Sequence, residues 1–171
     1  MLFRSAIPGE VHVLLGENGA GKSTIMNVLA GVNTNYTGTI IWKGEEIVAK
    51  SVEEQRERGV GIIFQDLNLL DNLTVAENMF LGRQPLTKSG NIDWKKMNAD
   101  ARKLLDDIHS DIDEKIQVSK LTVGQKQMVE IAKSMSYHCD ILIMDEPTSA
   151  LTEKEVNALF ELIHKIGRAH V

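Results

Sequence analysis

The segment Gly16-x-x-x-x-Gly21-Lys22-Ser23 has the residue types and spacing of a phosphate-binding loop. Glycines let consecutive backbone N–H groups converge on an anion with no Cβ in the way. A helix that begins at the same place points the positive end of its dipole at that anion. Lys22 brings a flexible positive charge to β- and γ-phosphates, Thr24 can bond an α-phosphate oxygen, and the Ser23 hydroxyl suits Mg²⁺, which prefers oxygen ligands. The pattern therefore predicts a site for the phosphates of a magnesium-bound nucleotide.

The alternative is a glycine-rich loop that only turns a corner. From average residue usage, the four-position pattern arises by chance on the order of once in a few hundred chains of this length. The surrounding sequence lowers that chance. Val11–Leu15 is a short apolar run typical of a buried strand, and Lys22–Ala30 has the one-sided apolar spacing of a helix that Gly31 can end. A strand, a loop and a helix in this order are the expected setting of the motif.

A pair of carboxylates follows a second apolar run, Ile141–Met144. A run without alternation is typical of a strand covered on both faces in a parallel sheet. An aspartate at the end of such a strand holds Mg²⁺ in proteins with this kind of phosphate loop, which gives Asp145 a candidate role. The alternative is that Asp145 and Glu146 cap the next helix or lie in a solvated loop.

Composition narrows the class of protein. The chain has 171 residues, 43% hydrophobic and 25% charged, which excludes disorder, collagen or coiled coil as descriptions of the whole. The net charge of −5 disfavours general binding to nucleic acid, whose affinity comes mostly from Lys and Arg. A single cysteine excludes an internal disulfide. No apolar run approaches the roughly 20 residues of a membrane-spanning helix, and the first residues do not resemble a signal peptide.

The hydrophobic pattern predicts an α/β fold with a mainly parallel sheet, in which the two ends of the chain form one core around a helical insertion. The core would comprise residues 1–70 and 137–171, and the helical subdomain residues 71–136. Further strands are predicted at 38–42 and 60–64, with a turn at Lys43–Glu45. Helices are predicted at 51–58, 75–81, 97–108, 123–135 and 152–166.

Four motifs, in their order along the chain, resemble those of ATP-binding cassette (ABC) transporter ATPases. They are Gly16–Ser23, Gln65, Leu121-Thr122-Val123-Gly124-Gln125 and Asp145-Glu146-Pro147-Thr148-Ser149-Ala150-Leu151. The segments Leu73–Asn78 and Gln127–Lys133 most resemble the ATPase subunits of monosaccharide importers of the ribose, galactose and xylose group. The resemblance covers nearly the whole chain and implies a P-loop NTPase core with an inserted helical subdomain.

The resemblance also implies a role for each matching residue. Glu146 would be the general base that polarises the hydrolytic water, and Gln65 would sense the Mg²⁺ and that water. Lys22 would neutralise phosphate charge, and the metal would be held by Ser23, Gln65 and Asp145. Residues 149–152 would form the loop at the dimer interface. The residues implied to contact nucleotide are Gly16, Asn18, Gly19, Gly21, Lys22, Ser23, Thr24, Thr122, Gly124 and Gln125.

The sequence departs from the family pattern at several places. The commonest signature is Leu-Ser-Gly-Gly-Gln, where this chain has Thr122 and Val123, and Thr152 replaces the usual aspartate of the interface loop. We find no convincing adenine-stacking aromatic residue before Gly16 and no switch histidine on a strand after Glu146. Residues 167–171 break the helical pattern, so we expect the chain to end before the last core strands.

The implied function is an ATP-binding and ATP-hydrolysing subunit of an importer for a small sugar, with ATP and Mg²⁺ as cofactors. Its implied partners are a second cassette, integral-membrane permease subunits and, indirectly, a periplasmic or extracellular sugar-binding protein, with no nucleic acid. The implied location is the cytoplasmic face of the cell membrane, as a peripheral protein.

Three other functions stay open at this point. The chain could bind nucleotide without catalysis, because it lacks the switch histidine. It could be a non-transport ABC-class ATPase acting on DNA or ribosomes, which the charge of −5 and the compact insertion disfavour. A small GTPase is a weaker alternative, because the chain has no Asn-Lys-x-Asp guanine signature.

Overall fold

The computed structural model describes residues 10–17, 19–64, 67–137, 139–145 and 151–169, with the backbone alone at 164–169. Helices and strands are interspersed along these residues, in agreement with the predicted α/β class. In chain order they are α1 (Lys22–Leu29), β1 (Ile40–Trp42), β2 (Glu45–Ile47), α2 (Val52–Glu57), β3 (Val60–Ile63), α3 (Val75–Met79), α4 (Trp94–Asp107), a 3₁₀ turn (Val118–Lys120), α5 (Val123–Met135), β4 (Ile141–Met144) and α6 (Glu153–Ala169).

The strands β3 and β4 form the parallel part of the predicted sheet. Val60 lies opposite Ile141, and the pairing continues in register to the ends of both strands. β3 is buried along its whole length, which explains its apolar sequence. Gly61 is required by close packing, because a Cβ at this position would lie 2.7 Å from Sγ of Cys139. The parallel register brings the carboxyl ends of the two strands side by side.

The strands β1 and β2 form an antiparallel hairpin in which Ile40 lies opposite Ile47. Lys43 and Gly44 connect them with positive φ angles of 50° and 87°, the combination found in tight hairpin turns. Sequence analysis predicted β1 and the turn but missed β2. The missed strand has only three residues, and two of them are glutamates, so it shows no apolar pattern.

Three α-helices lie between β3 and β4 in the chain, in agreement with the predicted helices of this region. Thr74 caps α3 through a reciprocal pair of hydrogen bonds with Glu77, in which each side chain accepts from the other residue's backbone N–H. Asp93 caps α4 by accepting from the N–H of Lys96. The helices pack around one apolar cluster that includes Val75, Met79, Met97, Ala101, Leu105, Val118, Val129 and Ile131, together with Ile63 of β3 and Leu159 of α6.

The helix α1 packs against the parallel strands through a second apolar cluster. Met26 of α1 and Ala30, the residue directly after this helix, contact the group formed by Val60, Ile62 and Ile143. Burying this apolar surface fixes the helix on the sheet, at about 25 cal/mol for each Å² removed from water. The helix that follows the candidate phosphate loop is therefore part of the same packed unit as β3 and β4.

The prediction of a strand at Val11–Leu15 is wrong for this structure. These residues have no regular secondary structure, and the side chains of Val11, Val13 and Leu15 are 65%, 71% and 81% exposed. Leu14 alone packs partly against the second cluster. A strand needs a neighbouring backbone for its hydrogen bonds, and β3 and β4 pair with each other within the described residues. The apolar run is present, but no described strand lies beside it.

The helix α6 extends to Ala169, beyond the predicted end at Ile166. The prediction that residues 167–171 break the helical pattern is wrong for 167–169, which continue α6, and 170–171 lie outside the described residues. A glycine in a helix costs about 1 kcal/mol relative to alanine, which a long helix tolerates. Among the helices in the described part of the chain, none combines the length and apolar character that crossing a membrane requires.

The buried amide of Asn78 fixes the entry to the helical region. The side chain is 1% exposed. Its Oδ1 accepts from the N–H of Leu70 at 2.7 Å, and its Nδ2 donates to the carbonyl oxygens of Leu70 and Thr74, each at 3.0 Å. One side chain thus satisfies three backbone groups of a segment that has no secondary structure before α3.

We expect Asn78→Ala to lower the free energy of unfolding by about 2 to 3 kcal/mol, because it removes three hydrogen bonds made by a buried side chain. Urea denaturation measures this change. Asn91→Ala is the matched control, since Asn91 is exposed and its amide lies 3.4 Å from the Ser89 hydroxyl. The control should change stability by no more than about 0.5 kcal/mol, and equal losses in the two variants would contradict the assigned role of Asn78.

Candidate phosphate-binding site

The glycine-rich loop meets α1 at Gly21, which is the N-cap residue of the helix. Gly21 has φ 88° and ψ 13°, the left-handed conformation that glycine adopts without strain. Gly19 also has a positive φ, of 84°. A Cβ at either glycine would meet no atom within 4 Å, so the space beside the loop is open. Gly21 has no side chain that could cap the helix, so within the described part of the chain the first N–H groups of α1 are available to an anion.

Lys22 is the first residue of α1, and its ammonium folds back over the loop. Nζ donates to the carbonyl oxygens of Gly16 at 2.7 Å and Glu17 at 3.1 Å. These contacts hold the charge beside the open N–H groups of the helix start. Ser23 and Thr24 follow in the same turn, and both are exposed. The residues present therefore fit the phosphates of a nucleotide, which need amide donors, an ammonium and hydroxyl groups.

Asp145 lies directly after β4, at the edge where the two parallel strands end. Its backbone N–H donates to the carbonyl oxygen of Ile63, the last residue of β3, at 3.1 Å. The ends of β3 and β4 are therefore neighbours, and residues that follow the two strands leave the sheet at the same edge. The carboxylate of Asp145 and the hydroxyl of Ser23 are oxygen ligands of the kind that Mg²⁺ prefers. Gln65, Glu146 and Asn18 lie outside the described residues.

The predicted signature residues form the start of α5. Thr122 is the N-cap, and its Oγ1 accepts from the N–H of Gln125 at 3.2 Å. The Gln125 side chain returns the bond by accepting from the N–H of Thr122 at 3.0 Å. Gly124 is buried and Val123 is 60% exposed. Sequence analysis did not anticipate this capping box, although Thr-x-x-Gln before a helix is its known signal.

The same reciprocal cap occurs at Thr152, which stands where the family has an aspartate. The Thr152 hydroxyl and N–H both donate to Glu155 Oε2 at 2.8 Å, and the N–H of Glu155 donates back to Thr152 Oγ1 at 3.4 Å. Thr152 therefore starts α6, a local role that an aspartate would also serve. The rest of the predicted interface loop, residues 149–150, lies outside the described residues, and Leu151 packs partly against the large apolar cluster.

The described candidate residues fall into three groups: the loop with the start of α1, Asp145 at the sheet edge, and the start of α5. Among the described residues, no hydrogen bond or ion pair joins the start of α5 to the phosphate loop. The resemblance places the signature opposite a different cassette's γ-phosphate, and that placement stays a prediction.

Two titratable groups outside these three have shifted pKa values. Burial raises the pKa of the Cys139 thiol, the charge of Asp140 raises it further, and Arg56 opposes both. The thiol is therefore protonated at neutral pH and donates weakly to the carbonyl oxygen of Ser134. A hydrogen bond from Lys154, together with its charge, lowers the pKa of the exposed Asp111 carboxyl. Neighbouring groups and burial thus explain both pKa shifts.

Comparison with known sequences identifies relatives that match most of this chain. Residues 5–149 match the profile of the family described as ABC transporter. The galactose/methyl galactoside import ATP-binding protein MglA of Yersinia pestis bv. Antiqua, in strains Antiqua and Nepal516, is 49% identical to this chain over 159 residues. The match covers 93% of this chain and 31% of the relatives, so the chain spans about a third of their length.

Solved structures share the fold. A nucleotide-free ATP-binding cassette from an ABC transporter superposes with a TM-score of 0.80 at 23% identity, covering 96% of this chain and 69% of its own. The ADP conformation of the cassette MJ1267 gives 0.77 at 24% identity, covering 96% and 68%. The dimeric post-hydrolysis state of the cassette MJ0796 with ADP and Pi gives 0.73 at 23% identity, covering 90% and 67%. The family profile spans most of the sequence and the fold is that of these cassettes, so the chain belongs to the ABC transporter family.

Proposed function

We propose that this chain is the ATP-binding cassette of an importer that couples ATP hydrolysis to the uptake of a small sugar. The observation that carries the proposal is the start of α1, where uncapped N–H groups face an open space beside Gly19 and Gly21. The 49% identity to a galactose/methyl galactoside import ATP-binding protein supports sugar as the transported solute. Within this proposal, the three groups of candidate residues take the following roles.

The phosphate loop binds the nucleotide. The N–H groups of the α1 start bond the phosphate oxygens, and the Thr24 hydroxyl is placed in the same turn. The Lys22 ammonium leaves the carbonyl oxygens of Gly16 and Glu17 and contacts the β- and γ-phosphates instead. This exchange replaces two contacts to neutral carbonyl oxygens with stronger contacts to negatively charged phosphates, which favours nucleotide binding.

The sheet edge supplies the acid–base chemistry. Ser23 and Asp145, together with Gln65, would hold Mg²⁺, which would supply neutralisation of the phosphate charge. Glu146 follows Asp145 by one residue and accepts a proton from the attacking water. Positioning and charge neutralisation provide most of the rate enhancement in such a transfer, because the protein forms no covalent intermediate.

Partners complete the site. Thr122, Gly124 and Gln125 would face the γ-phosphate held by a second cassette, since the start of α5 is another helix N-terminus. Permease subunits in the membrane would hold the two cassettes on the cytoplasmic face, and a sugar-binding protein would deliver solute from outside. The dimeric state described for the MJ0796 cassette with ADP and Pi supports a paired arrangement.

Lys22→Ala should weaken Mg-ATP binding about 10- to 100-fold, because one contact to a charged phosphate is lost. Isothermal titration calorimetry measures the affinity. Lys95→Ala is the matched control, because Lys95 is exposed on α4 and its loss changes the net charge equally. Unchanged affinity in folded Lys22→Ala, or equal weakening in the control, would contradict a phosphate site at this loop.

Glu146→Gln should keep Mg-ATP binding and lower the hydrolysis rate of the full-length protein about 10²- to 10⁴-fold, the range for a lost general base. Phosphate release measures turnover. Glu153→Gln is the control, because Glu153 is exposed at the start of α6. Normal turnover in Glu146→Gln would remove Glu146 from the base role. Binding without hydrolysis in the unmodified protein would instead favour a cassette that binds nucleotide but does not turn it over.

A further inference from the structure

The ring of Tyr137 contacts two guanidinium groups at the end of α5. The Cζ atom of Arg83 lies 3.8 Å from the ring centroid, and that of Arg56 lies 5.4 Å from it. Both distances are within the range of attraction between a cation and an aromatic ring. Arg83 follows α3 and Arg56 belongs to α2, so three separate elements meet at one ring. We call these three side chains the Tyr137 joint.

Arg83 ties two helix ends together. Its guanidinium donates to the carbonyl oxygen of Met79 at 2.6 Å, in the last turn of α3. It also donates to the carbonyl oxygen of Ser136 at 3.1 Å, just after α5, and to the Ser136 hydroxyl. A cation at two helix C-termini is favourable, because both ends carry partial negative charge. Nε of Arg83 is buried and has no hydrogen-bond partner among the described residues, so the remaining contacts must hold the group in place.

Arg56 connects the joint to the helix of the phosphate loop. The preceding residue, Gln55, is 1% exposed, and its Nε2 donates to the carbonyl oxygen of Leu29 at the end of α1, at 2.7 Å. The two helices also approach closely at Gly31, where a Cβ would lie 2.4 Å from the carbonyl oxygen of Ser51. α2 is therefore held against α1. Arg56, which belongs to α2, connects this pair of helices to the ring of Tyr137.

The described residues leave an open space beside the joint. A cavity of about 200 Å³ lies between β3 and the last turns of α5, and Arg56, Phe64, Glu130, Lys133 and Tyr137 are among the residues that line it. A close-packed interior resists small rotations, whereas an open cavity leaves room for them. Met128, Val129 and Ile131 pack α5 into the main apolar cluster, and the Tyr137 joint adds contacts at the end of the helix that lies beside this cavity.

We propose that Tyr137 is a positioning residue that sets the direction of α5 and, through it, the place of the signature residues relative to the phosphate loop. α5 has 13 residues, so it acts as a rod about 20 Å long with Thr122 at one end and Tyr137 beyond the other. A tilt of about 10° at the joint would move the far end of this rod by about 3 to 4 Å. The inference rests on the proposed function, because the signature residues matter only if they contact nucleotide.

The test measures the direction of α5 with paired spin labels. Labels at Lys50→Cys and Lys120→Cys, two exposed positions, report the distance between the loop before α2 and the start of α5, in a Cys139→Ser background. Tyr137→Leu keeps apolar bulk and loses the ring, and it should shift or broaden the distance distribution by about 3 Å or more. Tyr137→Phe keeps the ring and should restore the distribution of the unmodified protein.

A second variant covers the case in which Tyr137→Leu does not fold. Arg56→Gln removes one cation from the joint and leaves α3 and α5 tied by Arg83, so it should broaden the distribution in the same direction. An unchanged distribution in either folded variant would overturn the proposal.

A kinetic readout separates this inference from the proposed function. In the full-length protein, folded Tyr137→Leu should lower kcat about 10-fold or more and leave Mg-ATP affinity within two-fold, because misplacement affects only the step that needs the signature. Tyr137→Phe should restore kcat. If the unmodified protein fails to bind Mg-ATP, the proposed function fails, whatever the label distances. If it binds and hydrolyses normally while Tyr137→Leu has normal kcat, only the positioning role fails.

Discussion

The uncapped start of α1 is the constraint on which the rest of the structure depends. A helix start leaves N–H groups without partners, and most helices in this chain satisfy them with a side chain, as Ser51, Thr74, Asp93 and Thr122 do. α1 has a glycine in that place. The missing side-chain cap lowers the stability of the free protein and leaves a site with a strong preference for anions. Packing of Met26 and Ala30 on the sheet offsets the cost by holding the helix in place.

The parallel register of β3 and β4 is a second constraint, because it places the ends of both strands at one edge of the sheet. The sheet edge and the phosphate loop are built from distant parts of the chain. Tertiary packing brings the two together, and no local sequence pattern predicts that they meet. The helices between β3 and β4 include a second helix start, that of α5, which Thr122 and Gln125 cap through their reciprocal hydrogen bonds.

Much of this arrangement was predictable from the sequence, since strong periodicity marks long elements. The helix from Val123 to Met135 and the strand from Ile141 to Met144 match their predicted bounds. The segment at Val11–Leu15 was mispredicted because an apolar run shows the tendency to form a strand but not whether a partner backbone is present. The candidate residues of the phosphate loop followed from glycine and lysine spacing. The Tyr137 joint could not be predicted from residue spacing, because Arg56, Arg83 and Tyr137 are distant in sequence and meet only after folding.

The close approach of Gly61 and Cys139 has a consequence for how this sequence can change over time. The sulfur occupies the volume into which any side chain at position 61 would project. A larger residue at position 61 therefore requires the Cys139 sulfur to shift or position 139 to become smaller. Sequences that descend from a common ancestor should show these two sites varying as a pair, although 78 positions separate them in the chain.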